Sequence, residues 1–239
     1  MARTTIEWTE CSWNPVTGCS KISAGCEHCY AERMAKRLKA MGQPRYRNGF
    51  NVTLHEDIVE LPLHWRAPRS IFVNSMSDLF HDEVPDSFID SVLKTVRKAE
   101  WHHFQLLTKR AERLVAIDRV VDWPNNAIVG VTVEHRDTRD RIEALCSTEA
   151  PCKFISFEPL IGPVGKIDLR GVDWVIVGGE SGPGARPMEE AWAIEIKQQA
   201  ESLGIPFFFK QWGGFFKKRR GRLLEGREWN GRPRELVRG

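Results

Sequence analysis

Apolar residues along the chain fall into short runs separated by longer amphipathic stretches. Runs of apolar, β-prone residues occur at 71–73, 104–107, 127–133, 153–157, 174–177 and 205–209. They are apolar at successive positions rather than at alternate ones, the pattern of parallel strands covered on both faces. A short first strand near 12–16 brings the count to seven.

Between the runs lie helical periodicities. Residues 86–99 place Phe88, Val92 and Val96 on one face, with Ile89 and Leu93 beside them. Residues 188–203 do the same with Trp192, Ile196, Ala200 and Leu203. Pro85-Asp86 and Pro187 are helix-start signals. Residues 29–40 and 135–146 read as charged helices with narrower apolar stripes. The stretch 159–170 contains Pro159, Gly162, Pro163 and Gly165, so one crossover is expected to be a loop. Strands alternating with helices predict an α/β fold, a single partial or complete parallel (βα) barrel over residues 1–212, with a doubly wound open sheet as the alternative.

Composition agrees with one sizeable core. The chain has 239 residues, 41% of them hydrophobic and 28% charged, which excludes wholesale disorder. No run reaches the length of a membrane span, and the first residues lack the apolar core of a signal peptide, so a cytoplasmic protein without membrane contact is expected. The net charge of +3 is uneven. Residues 213–239 hold nine Lys/Arg and three Glu, a net +6, which leaves the remainder at −3. This basic tail, with Lys217, Lys218, Arg219, Arg220 and Arg222, is a candidate phosphate-binding segment for nucleic acid. The competing readings are a solvated tail, or one pinned to the barrel by Glu225 and Glu228.

In βα barrels the chemistry gathers where strands end. Here Asn74, Ser75, Ser77 and Asp78 follow the run at 71–73, and Thr108, Lys109 and Arg110 follow 104–107. Glu134 and His135 follow 127–133, Glu158 follows 153–157, Gly178-Gly179-Glu180 follows 174–177, and Lys210 follows 205–209. Helix capping accounts for about half of these. It accounts less well for Glu158 and Glu180, each beside proline or glycine directly after a buried strand. The glycines would let a ligand approach the backbone closely.

The sharpest signal is the cysteine spacing. Of six cysteines, Cys19, Cys26 and Cys29 fall on one loop as C-x6-C-x2-C, while Cys11 lies eight residues earlier and Cys146 and Cys152 far away. A chain this large without a secretion signal has little need of disulfides, so metal ligation is the better reading. Three thiolates suit an incomplete iron–sulfur cage, and four with Cys11 would suit structural zinc.

A three-cysteine loop after the first strand resembles the radical S-adenosylmethionine superfamily. The usual spacing there is C-x3-C-x2-C, and the first gap here is longer. The closer resemblance is to a radical-SAM-like family of phage and bacterial proteins of unassigned function. It is carried by Trp13-Asn-Pro-Val-Thr-Gly-Cys19, Cys26-Glu-His-Cys-Tyr30, Asn74-Ser-Met-Ser-Asp-Leu-Phe80, Leu107-Thr-Lys-Arg110, Gly130-Val-Thr-Val-Glu134, Ser156-Phe-Glu-Pro159, Gly178-Gly-Glu-Ser181 and Lys210-Gln-Trp-Gly213, over residues 6–213. The resemblance implies a [4Fe-4S] cluster on Cys19, Cys26 and Cys29, with S-adenosylmethionine on the open iron and an electron donor as partner. A Gly-Gly-Glu turn follows the second strand in such enzymes but a late strand here. Cofactor contacts are therefore assigned to Ser75, Ser77, Asp78 and Thr108, with Gly178 and Gly179, and the groups facing substrate to Glu158, Glu180 and Lys210. The implied reaction is hydrogen abstraction from a substrate, nucleic acid or nucleotide among the candidates, and a protein partner stays open. The alternatives are a zinc-stabilised, non-enzymatic nucleic-acid-binding protein and an acid–base barrel enzyme using Glu158 and Glu180.

Overall fold

The computed structural model describes residue 4, residues 6–216 and residues 219–236. Chain order runs β1 (Cys11–Trp13), β2 (Val16–Thr17), α1 (Tyr30–Ala40), β3 (Thr53–Leu54), β4 (Ser70–Val73), α2 (Asp86–Lys98), β5 (His103–Thr108), α3 (Ala111–Asp118), β6 (Ala127–Thr132), α4 (Asp140–Cys146), β7 (Lys153–Phe157), β8 (Trp174–Gly178), α5 (Glu190–Ser202) and β9 (Phe207–Gln211). Seven strands form one sheet in the order β1-β4-β5-β6-β7-β8-β9, every pairing parallel. No strand is skipped, so successive crossovers of one hand lay the helices on one face and the sheet curls over the other. β1 and β9 are not paired with each other. The result is a partial parallel (βα) barrel.

The both-face apolar runs are explained by two separate cores. Ile71, Val73, Phe104, Leu106, Val129, Val131, Ile155, Phe157, Val175 and Val177 point outward to the helices. There they meet Ile89, Val92 and Val96 of α2, Leu114 of α3, Ile142 and Leu145 of α4, and Ile196 of α5. The alternate residues Phe72, Ile128, Phe154, Trp174, Ile176 and Phe208 fill the concave interior with Trp8. Trp8 sits 4.7 Å from the Phe72 ring and 6.1 Å from both Phe154 and Trp174. This aromatic plug occupies the end of the interior where the strands begin.

Segments from the first and last parts of the described chain close that same end. Thr9 donates to Gln105 at 2.8 Å, and the Gln105 amide reaches the Trp8 carbonyl. From the last part, Gly231 accepts a 2.8 Å bond from Trp174 Nε1, and Arg232 donates to the Glu7 carbonyl. Residues 229–231 run antiparallel along β9 through Phe209 N to Trp229 O and Gly231 N to Phe207 O, which covers the sheet edge.

Several boundaries differ from the sequence reading. The first strand, expected over 12–16, ends at Trp13 because Pro15 has no N–H and the Asn14 side chain instead accepts from Ser75 Oγ and Met76 N. Val16–Thr17 then pairs with Thr53–Leu54 in a separate ribbon. The last strand begins after Pro206 rather than at Ile205. α3 is additional, a two-turn helix anchored by Leu114 and Ile117. The crossover between β7 and β8 is the loop that its prolines and glycines predict. No helix among the described residues is long and apolar enough to cross a membrane.

The described part of the basic segment packs back on the body. Lys197 pairs with Glu225, and Arg222 lies 3.7 Å from Glu228. Guanidinium groups cover rings: Arg227 lies 3.6 Å from the Trp229 centroid and Arg222 5.0 Å from that of Phe208. Lys217 and Lys218 lie outside the described residues.

The plug generates a stability prediction. Trp174→Ala removes a fully buried ring from the centre of the inner core and leaves the Gly231 carbonyl without its donor. Chemical denaturation should show a loss of about 3–5 kcal/mol. A loss under about 1 kcal/mol would mean the interior is not packed as described.

Candidate functional site

Opposite the plug, the interior turns polar. Inward positions alternate along each strand, so the residues two places beyond the inward-facing Thr132, Ser156 and Gly178 also aim at the mouth. They are Glu134, Glu158 and Glu180. Three carboxylates thus converge on one opening, and each has a cation.

Glu134 is the most enclosed, with no exposed surface. Its Oε1 accepts a 2.7 Å bond from Ser23 Oγ of the cysteine loop, and Lys109 Nζ stands 3.4 Å away. Arg141 Nη1 lies 3.6 Å from Oε2, which accepts no hydrogen bond. The loop comes so close that a Cβ on Gly25 would fall 2.4 Å from Oε1, so a larger residue there would have to push the Glu134 side chain aside. Glu158 pairs with Lys210 across from it. Gly178 makes room for this pair, since a Cβ there would stand 3.2 Å from the Glu158 carboxyl carbon.

Glu180 is held differently. Arg186 donates to it from Nη2 at 2.6 Å, from Nε at 2.9 Å and from its backbone N–H at 2.9 Å. The same guanidinium reaches the Ala24 carbonyl and Glu27 in the cysteine loop. Burial opposes the charge on Glu180, but the Arg186 hydrogen bonds hold its carboxyl below the usual value. Its lone pairs are spent on fastening two loops together.

A third clamp sits at the start of the cysteine loop. Asp78, buried after β4, accepts from Thr108 Oγ1 at 2.8 and 2.9 Å and from Arg110 Nη1 at 3.1 Å. Arg110 continues to the Cys19 sulfur at 3.5 Å, and to the Ser20 carbonyl and hydroxyl. Burial and the neighbouring Asp78 push the Cys19 thiol up to about 11, against Arg110. Ser75 and Ser77 face local partners, Asn14 and the Val16 carbonyl. Gly179 lies against the Trp212 carbonyl, where a Cβ would be 2.1 Å away. The assigned cofactor contacts Ser75, Ser77, Asp78 and Thr108 therefore cluster at one side of the mouth with their side chains engaged in internal bonds. Glu158, Glu180 and Lys210 lie on the other side.

The three loop cysteines all sit on this rim. Cys19 follows the ribbon, Cys26 lies 3.6 Å from Ser23 Oγ, and Cys29 immediately precedes α1. All three are free thiols of intermediate exposure. Cys11 is wholly buried among the outward-facing core residues of β1, and Cys152 is buried in the inner core. Neither is available as a fourth ligand. Among the described residues no three His, Cys, Asp or Glu side chains are grouped as a metal cage. The donor chemistry is nevertheless that of a soft-metal site: three unpaired thiols on a glycine-containing loop.

Glu134, Arg110 and Arg186 carry the architecture of the mouth; the sequence reading placed Glu134 and Arg110 at strand ends without giving either a role, and did not single out Arg186. Strand parity was the available signal for Glu134. Arg110 is marked by its place at a strand end, but its partner lies 90 residues away, and nothing local marks Arg186, which acts across 162 residues.

Comparison with known proteins gives a family. A family model described as "Protein of unknown function (DUF5131)" matches residues 3–234. No curated protein matches the chain. Among solved structures, "Spore photoproduct lyase complexed with dinucleoside spore photoproduct" aligns with a TM-score of 0.40 and 11% identity, over 78% of this chain and 59% of that one. The chain thus spans about three-fifths of the length of that lyase.

The Arg186 clamp makes a pH-dependent prediction. A carboxyl held below its unfolded value adds stability that is complete above the ordinary value of 4.5 and fades as pH falls through the lowered one. Protection of residues 20–29 against hydrogen exchange, taken relative to the intrinsic rate at each pH, should therefore be full at neutral pH and fall selectively as pH drops below 4.5. Arg186→Ala should produce the same loss of protection at neutral pH, with a loss of roughly 1–3 kcal/mol. Exchange in this segment that ignores both pH and the substitution would contradict the clamp.

Proposed function

We propose that this chain, which belongs to the family of unknown function matched along nearly its whole length, is a radical S-adenosylmethionine-type enzyme whose loop cysteines hold a [4Fe-4S] cluster over the barrel mouth. The observation that carries the reading is the loop itself. Three free thiols sit on a segment fastened to the mouth by Ser23–Glu134, Arg186–Ala24 and Arg110–Ser20, while Cys11 is withdrawn into the core. Three protein ligands leave a cluster with one iron open to a cofactor, which a closed four-cysteine zinc site does not.

Cys19, Cys26 and Cys29 would be the ligands. When bound, such a cluster would supply the one-electron reduction of the S-adenosylmethionine sulfonium, and with it the capacity to take a hydrogen atom from substrate. The chain's own residues prepare that place. The aromatic plug seals the far end of the interior from water. Asp78, Thr108 and Arg110 fix the β4 and β5 ends beneath the first cysteine. Glu158 and Lys210 present an ion pair that is partly exposed at the mouth and free to rearrange toward a polar substrate. Glu180, through Arg186, positions the loop.

Anaerobic purification followed by reconstitution with iron and sulfide should give about four of each per chain. Cys19→Ala, Cys26→Ala and Cys29→Ala should each lose the cluster, while Cys11→Ala and Cys152→Ala should keep it. Reduced protein should cleave S-adenosylmethionine to 5′-deoxyadenosine. One zinc per chain with no iron bound after reconstitution would overturn the reading.

A further inference from the structure

We infer that the segment leaving β9 is a docking tip for single-stranded nucleic acid, built from Phe215 and Phe216 with Arg219 and Arg220. The tip's base is fixed. Gly214 N donates to the Glu180 carbonyl at 2.7 Å, Gly182 N donates to Gly214 O at 3.0 Å, and Trp212 Nε1 donates to the Leu223 carbonyl at 2.9 Å. The excursion therefore starts at the mouth, beside the loop that Glu180 and Arg186 tie to the cysteines. Arg33 of α1 holds the same loop through the Ser181 and Pro183 carbonyls.

At the tip the burial rule inverts. Phe215 and Phe216 are 62% and 63% exposed, although most large apolar side chains here are buried. They pack edge to face, 4.8 Å between centroids, so each stiffens the other while leaving ring surface open. Arg219 and Arg220 are both exposed, and Arg219 N donates to the Phe216 carbonyl at 2.9 Å, which keeps the guanidinium groups near the rings. Arg220 lies 5.8 Å from the Trp212 centroid, a guanidinium layered on a ring at the foot of the tip.

Aromatic faces interleaved with guanidinium groups match a strand that offers bases and phosphates in alternation. Charge supports the same occupant, because the segment 213–239 is +6 against a body of −3. A paired duplex buries its base faces, so an unpaired strand or flipped nucleotide is what the rings can stack on. The tip's place at the rim would lead such a strand over the carboxylate-lined mouth. This names a substrate class for the proposed active site, but binding itself needs no metal and is measured without one.

The test is fluorescence anisotropy of the full chain with a labelled 12-nucleotide thymidine strand and a blunt duplex of equal length, at two salt concentrations. The intact chain should prefer the single strand. Phe215→Ala/Phe216→Ala should weaken it about tenfold or more at unchanged salt slope. Arg219→Ser/Arg220→Ser should lower the slope of log affinity against log salt by about one to two. Because all four side chains are exposed, melting temperature and iron content should match the parent, which separates failure of the tip from failure of the cluster. No binding at low salt, preference for duplex, or indifference to the phenylalanine substitutions would overturn the inference. So would loss, in the phenylalanine variant alone, of binding to phosphatidylserine vesicles or of self-association in sedimentation, which would assign the rings to a membrane or to a second copy.

Discussion

Everything in this molecule depends on the sheet having one direction. Because all seven strands run parallel and in sequence order, every strand begins at one end of the curled sheet and finishes at the other. The two ends then diverge in chemistry. Where strands begin, Trp8, Phe72, Phe154, Trp174 and Phe208 fill the interior, and the segments around Trp8 and Gly231 are drawn in to seal it. Where strands finish, the interior is lined by Glu134, Glu158 and Glu180 with their cations. A buried carboxylate is tolerated only with partners, and these partners come from other loops. Charge satisfaction at the mouth is therefore also what orders the loops.

The cysteine loop shows how that works. It has almost no secondary structure of its own beyond one turn at Ala24–Cys26. Its order comes from three clamps, each using a side chain from a different strand end: Glu134 after β6, Arg186 beyond β8, and Arg110 after β5. A loop held by polar contacts rather than by a core can shift to accommodate a bound group without disturbing the barrel. That suits a segment whose thiols are proposed as ligands.

How far the sequence discloses this varies with the range of the interaction. The both-face apolar runs gave away the parallel sheet, because each strand really is buried twice, once on helices and once on the plug. Pro159 and Gly162 marked the single helix-free crossover. The split of the first strand at Asn14-Pro15 was missed, since the Asn14 carboxamide takes its partners from Ser75 and Met76, some sixty residues on. The basic tail read as charge, solvated, phosphate-binding or pinned by Glu225 and Glu228, without its aromatic contacts. In the fold Arg222 and Arg227 lie over aromatic rings, and the antiparallel partner of residues 229–231 is β9. Glu180 looked like a group waiting for a ligand, and its partner Arg186 is only six residues away, yet spacing alone does not show that a turn will fold the one onto the other. That Cys19, Cys26 and Cys29 share one loop follows from their spacing, which is local, whereas the burial of Cys11 and Cys152 in the cores does not.

The central claim is that three thiols, and no fourth, hold one cluster with an iron open to the cofactor. Electron paramagnetic resonance of the anaerobically reconstituted and dithionite-reduced chain tests it most directly. The account predicts the signal of a reduced [4Fe-4S] cluster that changes shape when S-adenosylmethionine is added, and that is absent from the Cys26→Ala variant. A signal indifferent to the cofactor, or none at all in protein that has retained zinc, would contradict it.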